Sequence, residues 1–131
     1  MTESARISYH FAILRVVPHV HLAAFTNVGV VLHARTAEFL GMRAIDGVAA
    51  LRALSPDVDA ELLARYLGCY QAICAGEPAA GPVALVSPSE RFHWMTSPRS
   101  DVLQPSPVHE GLTDDPASAL AEIYDRFVAR P

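Results

Sequence analysis

The fold of this chain is decided by the stretch Ile7-Ser8-Tyr9-His10-Phe11-Ala12-Ile13-Leu14-Arg15-Val16-Val17, which stops at Pro18. In an extended chain one face carries Ile7, Tyr9, Phe11 and Ile13, and the other carries Ala12, Leu14 and Val16. Because apolar residues fill both faces for much of its length, and β-branched and aromatic residues favour strands, we predict an interior strand covered on both sides.

Two further strands are predicted after the first. Residues 25–34 repeat its pattern, with Val28, Val30 and Leu32 on one face, and residues 38–45 follow the short polar break Arg35-Thr36-Ala37. Residues 18–24 form a connection of hairpin length between the first two strands. The sequence therefore predicts an antiparallel meander of three strands.

Helical spacing of apolar residues follows the meander. Asp46 and Gly47 open a short helix that ends at Leu54. The run Ser55-Pro56-Asp57 is a helix-start signal, with serine as the cap and proline in the first turn, and Gly76 is a stop signal. The apolar stripe of the helix between these signals is Leu62, Leu63, Tyr66, Leu67, Tyr70, Ile73 and Cys74.

The composition changes between residues 78 and 107, because this segment contains six of the ten prolines. Short strands are predicted for Val83-Ala84-Leu85-Val86 and for Arg91-Phe92-His93-Trp94-Met95, because the second run alternates polar with apolar residues. Residues 96–113 form a long, proline-rich loop. Loops longer than about 12 to 15 residues in a compact domain are usually functional or disordered, so this loop is a candidate for function.

A final helix completes the domain. Asp114 and Asp115 precede Pro116 as capping residues, and apolar residues then recur three and four apart at Leu120, Ile123, Tyr124, Phe127 and Val128. We therefore predict an α+β fold, in which the meander and one or two short later strands form an antiparallel sheet against two main helices. Residues 1–131 form one domain, with frayed termini at residues 1–6 and 130–131.

Composition excludes several classes of function. The 131 residues include ten arginines and no lysine, so a lysine-dependent phosphate-binding loop and Schiff-base chemistry are excluded. The net charge of −4 and the isoelectric point near 5.8 argue against nucleic-acid binding, and the scattered arginines argue against binding to an anionic membrane surface. With no apolar stretch of membrane-spanning length, we expect a cytoplasmic protein, and no feature calls for a cofactor.

The cysteines and histidines give weak signals for chemistry. Cys69 and Cys74 lie five residues apart in a predicted helix, where their side chains point about 140° apart, so we predict two free thiols. His19 and His21 have a spacing that two metal ligands can use, but a third ligand at diagnostic spacing is missing. We therefore predict no metal site.

The long loop carries the residues that an anion would need. A guanidinium binds phosphate or carboxylate through two parallel hydrogen bonds, and serine hydroxyls and histidine add donors. The candidates in the loop are Ser97, Arg99, Ser100, Ser106 and His109, and Arg91 joins them from the predicted strand before the loop. The alternative is structural, because polar side chains in such a loop commonly bond its own backbone.

Asn27 and Gly29 interrupt an apolar strand. A glycine inside a strand often marks a bulge or a close backbone approach. Arg15 lies near the end of the neighbouring strand. Together, Arg15 and Asn27 could pin a polar segment, either the chain's own long loop or a bound ligand.

Four pieces of the sequence form a recognisable set: Tyr9-x-Phe11-Ala12-Ile13-Leu14-Arg15-Val16-Val17-Pro18, Phe25-Thr26-Asn27-Val28-Gly29-Val30-Val31-Leu32, Arg91-Phe92-His93-Trp94 and Ser106-Pro107-Val108-His109. Over residues 7–128 the chain resembles the bacterial family called domain of unknown function 3037. The resemblance implies little about activity. It implies a partner, because members are often encoded beside a HipA-type kinase-like protein.

The resemblance also points to individual residues. Those that match the family pattern are Arg15, Asn27, Trp94, Arg99, Ser100 and His109. We interpret them as a polar cluster that organises the loop against the sheet. The pattern tends to place a glutamate just before the Phe-x-Asn strand, where this chain has Ala24, which weakens any catalytic role built on that acid.

Two functions of different classes follow. The first is a non-enzymatic interaction or accessory protein, a sheet with helices on one side, whose loop and exposed sheet surface dock a HipA-type kinase-like protein or a second copy of the chain. The second is a protein that binds an anion, nucleotide or phosphometabolite, either without further reaction or with hydrolysis of the bound molecule. It needs Arg91 and Arg99 as clamps and His109 as acid or base, and it requires Arg15, Arg99 and His109 to converge on one pocket.

Overall fold

The computed structural model describes residues 6–17, 25–99 and 101–130. The strands are β1 (Ile7–Val16), β2 (Thr26–Ala34), β3 (Phe39–Ala44), β4 (Leu103–Pro105) and β5 (His109–Thr113). The α-helices are α1 (Val48–Leu54), α2 (Ala60–Ala75), α3 (Pro88–Thr96) and α4 (Pro116–Tyr124), which a π-helical turn, Asp125–Ala129, continues. Short 3-10 helices occupy Arg35–Ala37, Pro78–Ala80 and Pro82–Leu85. Among these helices none has the length and apolar character needed to cross a membrane.

The five strands form one antiparallel sheet in the order β3-β2-β1-β4, and β5 pairs with β1 beside β4. The predicted three-stranded meander is confirmed, and so is the α+β class. The predicted connection at residues 18–24 lies outside the described residues, as do residues 1–5 and 131 of the predicted frayed termini. Arg130 is described and its guanidinium contacts the Asp125 carboxylate.

A bulge in β2 confirms the prediction made from Gly29. Leu14 pairs with Gly29 and Arg15 pairs with Asn27, so Val28 is an extra residue on the β2 side. The extra residue turns the Val28 side chain into the same core as Leu14, where both are fully buried. The backbone also approaches closely here, since a Cβ on Gly29 would lie 3.1 Å from the Ala44 Cβ.

Helices cover both faces of the sheet, so the hypothesis of helices on one side is wrong. One core joins Ala12, Leu14 and Val16 of β1 to α1, α2 and α3. The second core joins Ile13 of β1 with Val30 and Leu32 of β2 to α4 and its π-helical turn. The two-faced apolar pattern of β1 and β2 requires this arrangement, because each face must be shielded from water. The predicted interior strand is confirmed.

The start of α2 differs from the prediction. Its cap is Asp59, whose carboxylate accepts hydrogen bonds from the backbone N–H groups of Glu61 and Leu62. Ser55 is buried and its N–H donates to the Leu51 carbonyl, so it ends α1 instead. The predicted stop at Gly76 is confirmed, because this residue takes a left-handed conformation with φ of 73°.

Three predictions between residues 82 and 113 are wrong. Residues 83–86 lie mostly in a 3-10 helix, and residues 91–95 belong to α3. The helix wins over the polar–apolar alternation because Ser87 caps it: the Ser87 hydroxyl accepts from the Glu90 N–H and donates to the Glu90 carboxylate. Residues 96–113 are not a single loop, since they contribute both β4 and β5 to the sheet.

The close approach at Gly29 predicts a destabilising substitution. In Gly29→Ala the added methyl group meets the Ala44 Cβ and the Arg43 carbonyl oxygen, both at 3.1 Å, so β2 and β3 must separate slightly. We expect the free energy of unfolding in urea to fall by about 1–3 kcal/mol. The control is Gly68→Ala in α2, where no atom lies within 4 Å and alanine is expected to stabilise by up to about 1 kcal/mol. Equal stability of Gly29→Ala and the parent protein would contradict the prediction.

Candidate functional site

Ser106 completes the hydrogen bonding of β1. It is buried, and its backbone N–H donates to the Ile13 carbonyl at 2.7 Å while its hydroxyl oxygen accepts from the Ile13 N–H at 2.9 Å. The hydroxyl also donates to the Pro107 carbonyl at 2.8 Å. These bonds join β4 to β5 across the prolines on either side of Ser106. The Ser106 hydroxyl therefore serves the sheet and is not available to a ligand.

Arg99 and Trp94 fix the segment after α3 against α2. The Arg99 guanidinium donates to the Tyr70 hydroxyl and to the Trp94 carbonyl, and its carbon lies 4.6 Å from the centre of the Trp94 ring. Tyr70 and Trp94 themselves pack with ring centres 5.5 Å apart. Burial raises the pKa of Tyr70, and the Arg99 charge acts in the opposite direction. This cluster joins α2, α3 and the segment that follows α3.

Arg91 has a similar internal role on α3. Its Nη1 donates to the Val86 carbonyl at 2.7 Å, so it holds the preceding 3-10 segment. Its Nε atom is buried and has no hydrogen-bond partner in the described ranges. The two predicted phosphate clamps, Arg91 and Arg99, thus each bind backbone carbonyls of the protein itself.

Arg15 and Asn27 are neighbours, as predicted, but the segment they hold is different. The Arg15 guanidinium lies over the Phe25 ring at 4.3 Å. The Asn27 side chain donates to the Phe127 carbonyl at 3.0 Å, which ties β2 to the π-helical turn after α4. The pinned segment is therefore the C-terminal turn and not the segment at 96–113.

His109 lies apart from the predicted arginines. Its ring contacts Phe11, with ring centres 5.3 Å apart, on the face of the sheet that α4 covers. Arg99 lies on the other face, with Tyr70 and Trp94. On β1, Arg15 is four residues from Phe11, or about 13 Å along the strand. A single small ligand therefore cannot contact Arg15, Arg99 and His109 together. Ser100 and the histidines His19 and His21 lie outside the described residues.

Capping and burial account for the remaining reactive groups. Asp115 caps α4, accepting from the Ala117 N–H at 3.2 Å, as predicted. Cys69 is exposed, Cys74 is buried and both thiols are free. Burial raises the pKa of Cys74 to about 11, against the influence of the Arg91 charge. In the part of the chain that the structure covers, no cluster of three acidic, histidine or cysteine side chains could hold a metal ion.

A row of polar residues that the sequence analysis did not select crosses the sheet. His33, His10 and Glu110 are paired across β2, β1 and β5, and His10 Nε2 lies 3.4 Å from a Glu110 carboxylate oxygen. Beside them Ser8 pairs with Leu112. A signal was present in the sequence: Ser8 and His10 are polar while Tyr9 and Phe11 are apolar, which indicates a half-strand with one uncovered face.

The fold and these contacts define an α+β protein whose open antiparallel sheet is covered by helices on both faces, except over one strip near the start of β1. Residues 11–128 match the sequence profile of a family described as protein of unknown function, DUF3037. The chain belongs to this family, as the resemblance predicted. No curated protein and no solved structure matches the chain.

The role of Ser106 predicts a loss of stability. Ser106→Ala leaves the Ile13 N–H without its acceptor inside the sheet. Since an unsatisfied buried donor costs about 1–3 kcal/mol, we expect the free energy of unfolding to fall by that amount. The control is Ser8→Ala on β1, the strand that contains Ile13. The exposed Ser8 hydroxyl makes no hydrogen bond in the described ranges, and its loss should change stability by less than about 0.5 kcal/mol.

The two cysteines should differ in reactivity. At pH 8 a chromogenic disulfide reagent is expected to react rapidly with Cys69, which is exposed, and slowly with Cys74, which is buried with a raised pKa. Denaturant should release the second thiol. Cys69→Ser should remove the rapid phase and Cys74→Ser should keep it. Rapid reaction of both thiols in the native protein would contradict the structure.

Proposed function

We propose that this protein is a non-enzymatic interaction domain that binds another protein through β5 and the uncovered strip of sheet beside it. The strip consists of Ser8 and His10 of β1 with Glu110 and Leu112 of β5. The exposed Val108 lies next to it, directly before β5. The observation that carries the proposal is the exposure of Leu112, an apolar residue of β5 whose surface is 64% accessible although the strand is paired in the sheet.

The backbone of β5 supports the same proposal. β5 pairs with β1 along one edge, and in the described ranges no strand pairs with its other edge. Natural sheet edges are usually protected by lysine, proline or inward-pointing charge. Residues 109–113 contain no lysine and no proline, and the one acidic residue, Glu110, faces His10. Such an edge is suited to accept an extended segment of a partner as an additional strand.

The polar residues first selected favour binding over catalysis. Arg91, Arg99, Asn27 and Ser106 each bond a backbone group of the protein itself. They therefore serve the fold, whereas the side chains of the exposed strip are available to a partner. The alternative function, an anion or nucleotide site built from Arg15, Arg99 and His109, loses its geometric basis.

The first partner to test is the HipA-type kinase-like protein that the family resemblance implies, and the second is another copy of this chain. We expect Leu112→Asp to weaken partner binding at least about tenfold in titration calorimetry, since an aspartate would have to be buried at the centre of the interface. For self-association, light scattering coupled to size exclusion should show a dimer that Leu112→Asp converts to a monomer.

Leu85→Asp is the matched control, because Leu85 is 66% exposed and lies in the 3-10 segment before α3, away from β5. It should leave partner binding and self-association unchanged. Equal loss of binding in both variants would show a general surface effect and contradict the proposal. A monomer that binds no kinase-like protein would contradict it as well.

A further inference from the structure

His33 is a buried histidine without an internal partner. It lies on β2 with 6% of its surface exposed, and its ring packs on Phe92 of α3 with ring centres 5.3 Å apart. In the described part of the chain its ring nitrogens make no hydrogen bond. Its ring nitrogens are reached by solvent from the cavity beside it, so they are free to bond a water molecule or a ligand there.

The imidazole of His33 lines a cavity that is open to solvent. The cavity has a volume of about 340 Å³ and is lined by His33, Arg35, Glu38, Pro88 and Ser89. Its size falls at the lower end of the range for small-molecule sites, about 300–1,000 Å³. It accommodates a small ion or metabolite and is too small for a protein segment.

One wall of the cavity is the beginning of α3. Ser87 caps the Glu90 N–H and Pro88 has no N–H, so the first helical N–H belongs to Ser89. Within the described ranges the Ser89 N–H and hydroxyl make no hydrogen bond. The partial positive charge of a helix N-terminus and its unpaired N–H groups favour an anion.

The charges around His33 also favour an anion. Burial lowers the pKa of His33 most, and His10 from β1 and Arg35 from the turn after β2 lower it further. The Glu110 carboxylate of β5 lies 3.4 Å from His10 and offsets its charge, so Arg35 is the cation that acts on His33 without an acidic partner in the described ranges. The partner of His33 on β3 is the apolar Leu40, and on α3 the charged residues Glu90 and His93 line a different cavity. Glu38 is the acidic residue of the cavity, and it is exposed to solvent, which screens its charge.

We propose that this cavity binds a small tetrahedral oxyanion of the phosphate class, held by the imidazole of His33, the guanidinium of Arg35 and the first turn of α3 at Ser89. The site goes beyond the proposed interaction function and shares no residue with the strip on β5. Arg35 supplies the permanent charge, and protonated His33 supplies a second donor when the anion is present.

The experiment is a sulfate titration followed by NMR of the histidine rings and of the Ser89 amide, at constant ionic strength adjusted with chloride. Sulfate keeps its charge across the pH range, so any pH dependence belongs to the protein. Because the anion stabilises protonated His33, we expect binding to be about tenfold tighter at pH 6 than at pH 8. The rings of His93 and His109, which line no part of the cavity, should not respond.

Substitutions at two exposed residues should change the affinity for sulfate in opposite directions. Arg35→Gln removes the permanent charge and should weaken sulfate binding about fivefold, whereas Glu38→Gln removes the opposing charge and should tighten it about threefold. Arg52→Gln, at an exposed position on α1, is the matched control and should have no effect. Inorganic phosphate and glycerol phosphate then distinguish the source: equal affinity indicates free phosphate, and tighter binding of the ester indicates a phosphorylated metabolite.

Three results would overturn the proposal. The first is the absence of any response of the His33 ring and the Ser89 amide up to the highest sulfate concentration of the titration. The second is an equal response of all the histidines, which would indicate a general salt effect. The third is unchanged sulfate binding in both Arg35→Gln and Glu38→Gln, with the fold of each variant verified by its amide spectrum.

Discussion

The structure depends on keeping the backbone of β1 hydrogen-bonded while both of its faces are buried. β2 supplies the partners along one edge, and β4 and β5 supply them along the other. At Ile13 the second edge passes the prolines that flank Ser106, and a proline has no N–H to donate. The Ser106 hydroxyl and N–H close this gap, so a single side chain lets two short strands act as one edge. The two helical layers can then pack on an uninterrupted sheet.

The fold could be predicted where one pattern dominated. The two-faced apolar runs of β1 and β2 and the stripe of α2 left no competing assignment. Prediction failed in the region from Pro82 to Thr113, where short elements are set by capping and by partners far along the chain. A run such as Arg91 to Met95 alternates like a strand, but the reciprocal bonds between Ser87 and Glu90 start a helix. β4 and β5 owe their extended form to pairing with β1, which their own residues do not reveal.

The sequence identified residues that make specific contacts, but it did not predict which groups they contact. Arg15, Asn27, Arg99 and Ser106 all make specific contacts, but these contacts lie in separate places. The sequence shows which side chains can donate hydrogen bonds, but it does not show which carbonyl group accepts each bond. Asn27 finds that of Phe127, one hundred residues away. The uncovered strip was overlooked although Ser8 and His10 alternate with apolar residues, because the apolar second half of β1 dominated the interpretation of this strand. The His33 cavity was missed because burial and the lack of a hydrogen-bond partner are properties of packing. His33 becomes conspicuous only when its ring is seen buried against Phe92 without a hydrogen-bond partner.

In a chain without lysine, arginines make the structural contacts that need a cationic side chain. Arg15, Arg43 and Arg99 lie over the rings of Phe25, Tyr124 and Trp94, a use that a flat guanidinium suits better than a compact, strongly hydrated ammonium group. Arg91 binds a backbone carbonyl and Arg130 an aspartate. Arg35 differs from these five, because it faces a cavity together with a buried imidazole and a helix N-terminus. The Arg35 guanidinium, the His33 imidazole and the Ser89 N–H make no hydrogen bond to the protein in the described ranges. A cation beside two further donors is the arrangement that an oxyanion requires.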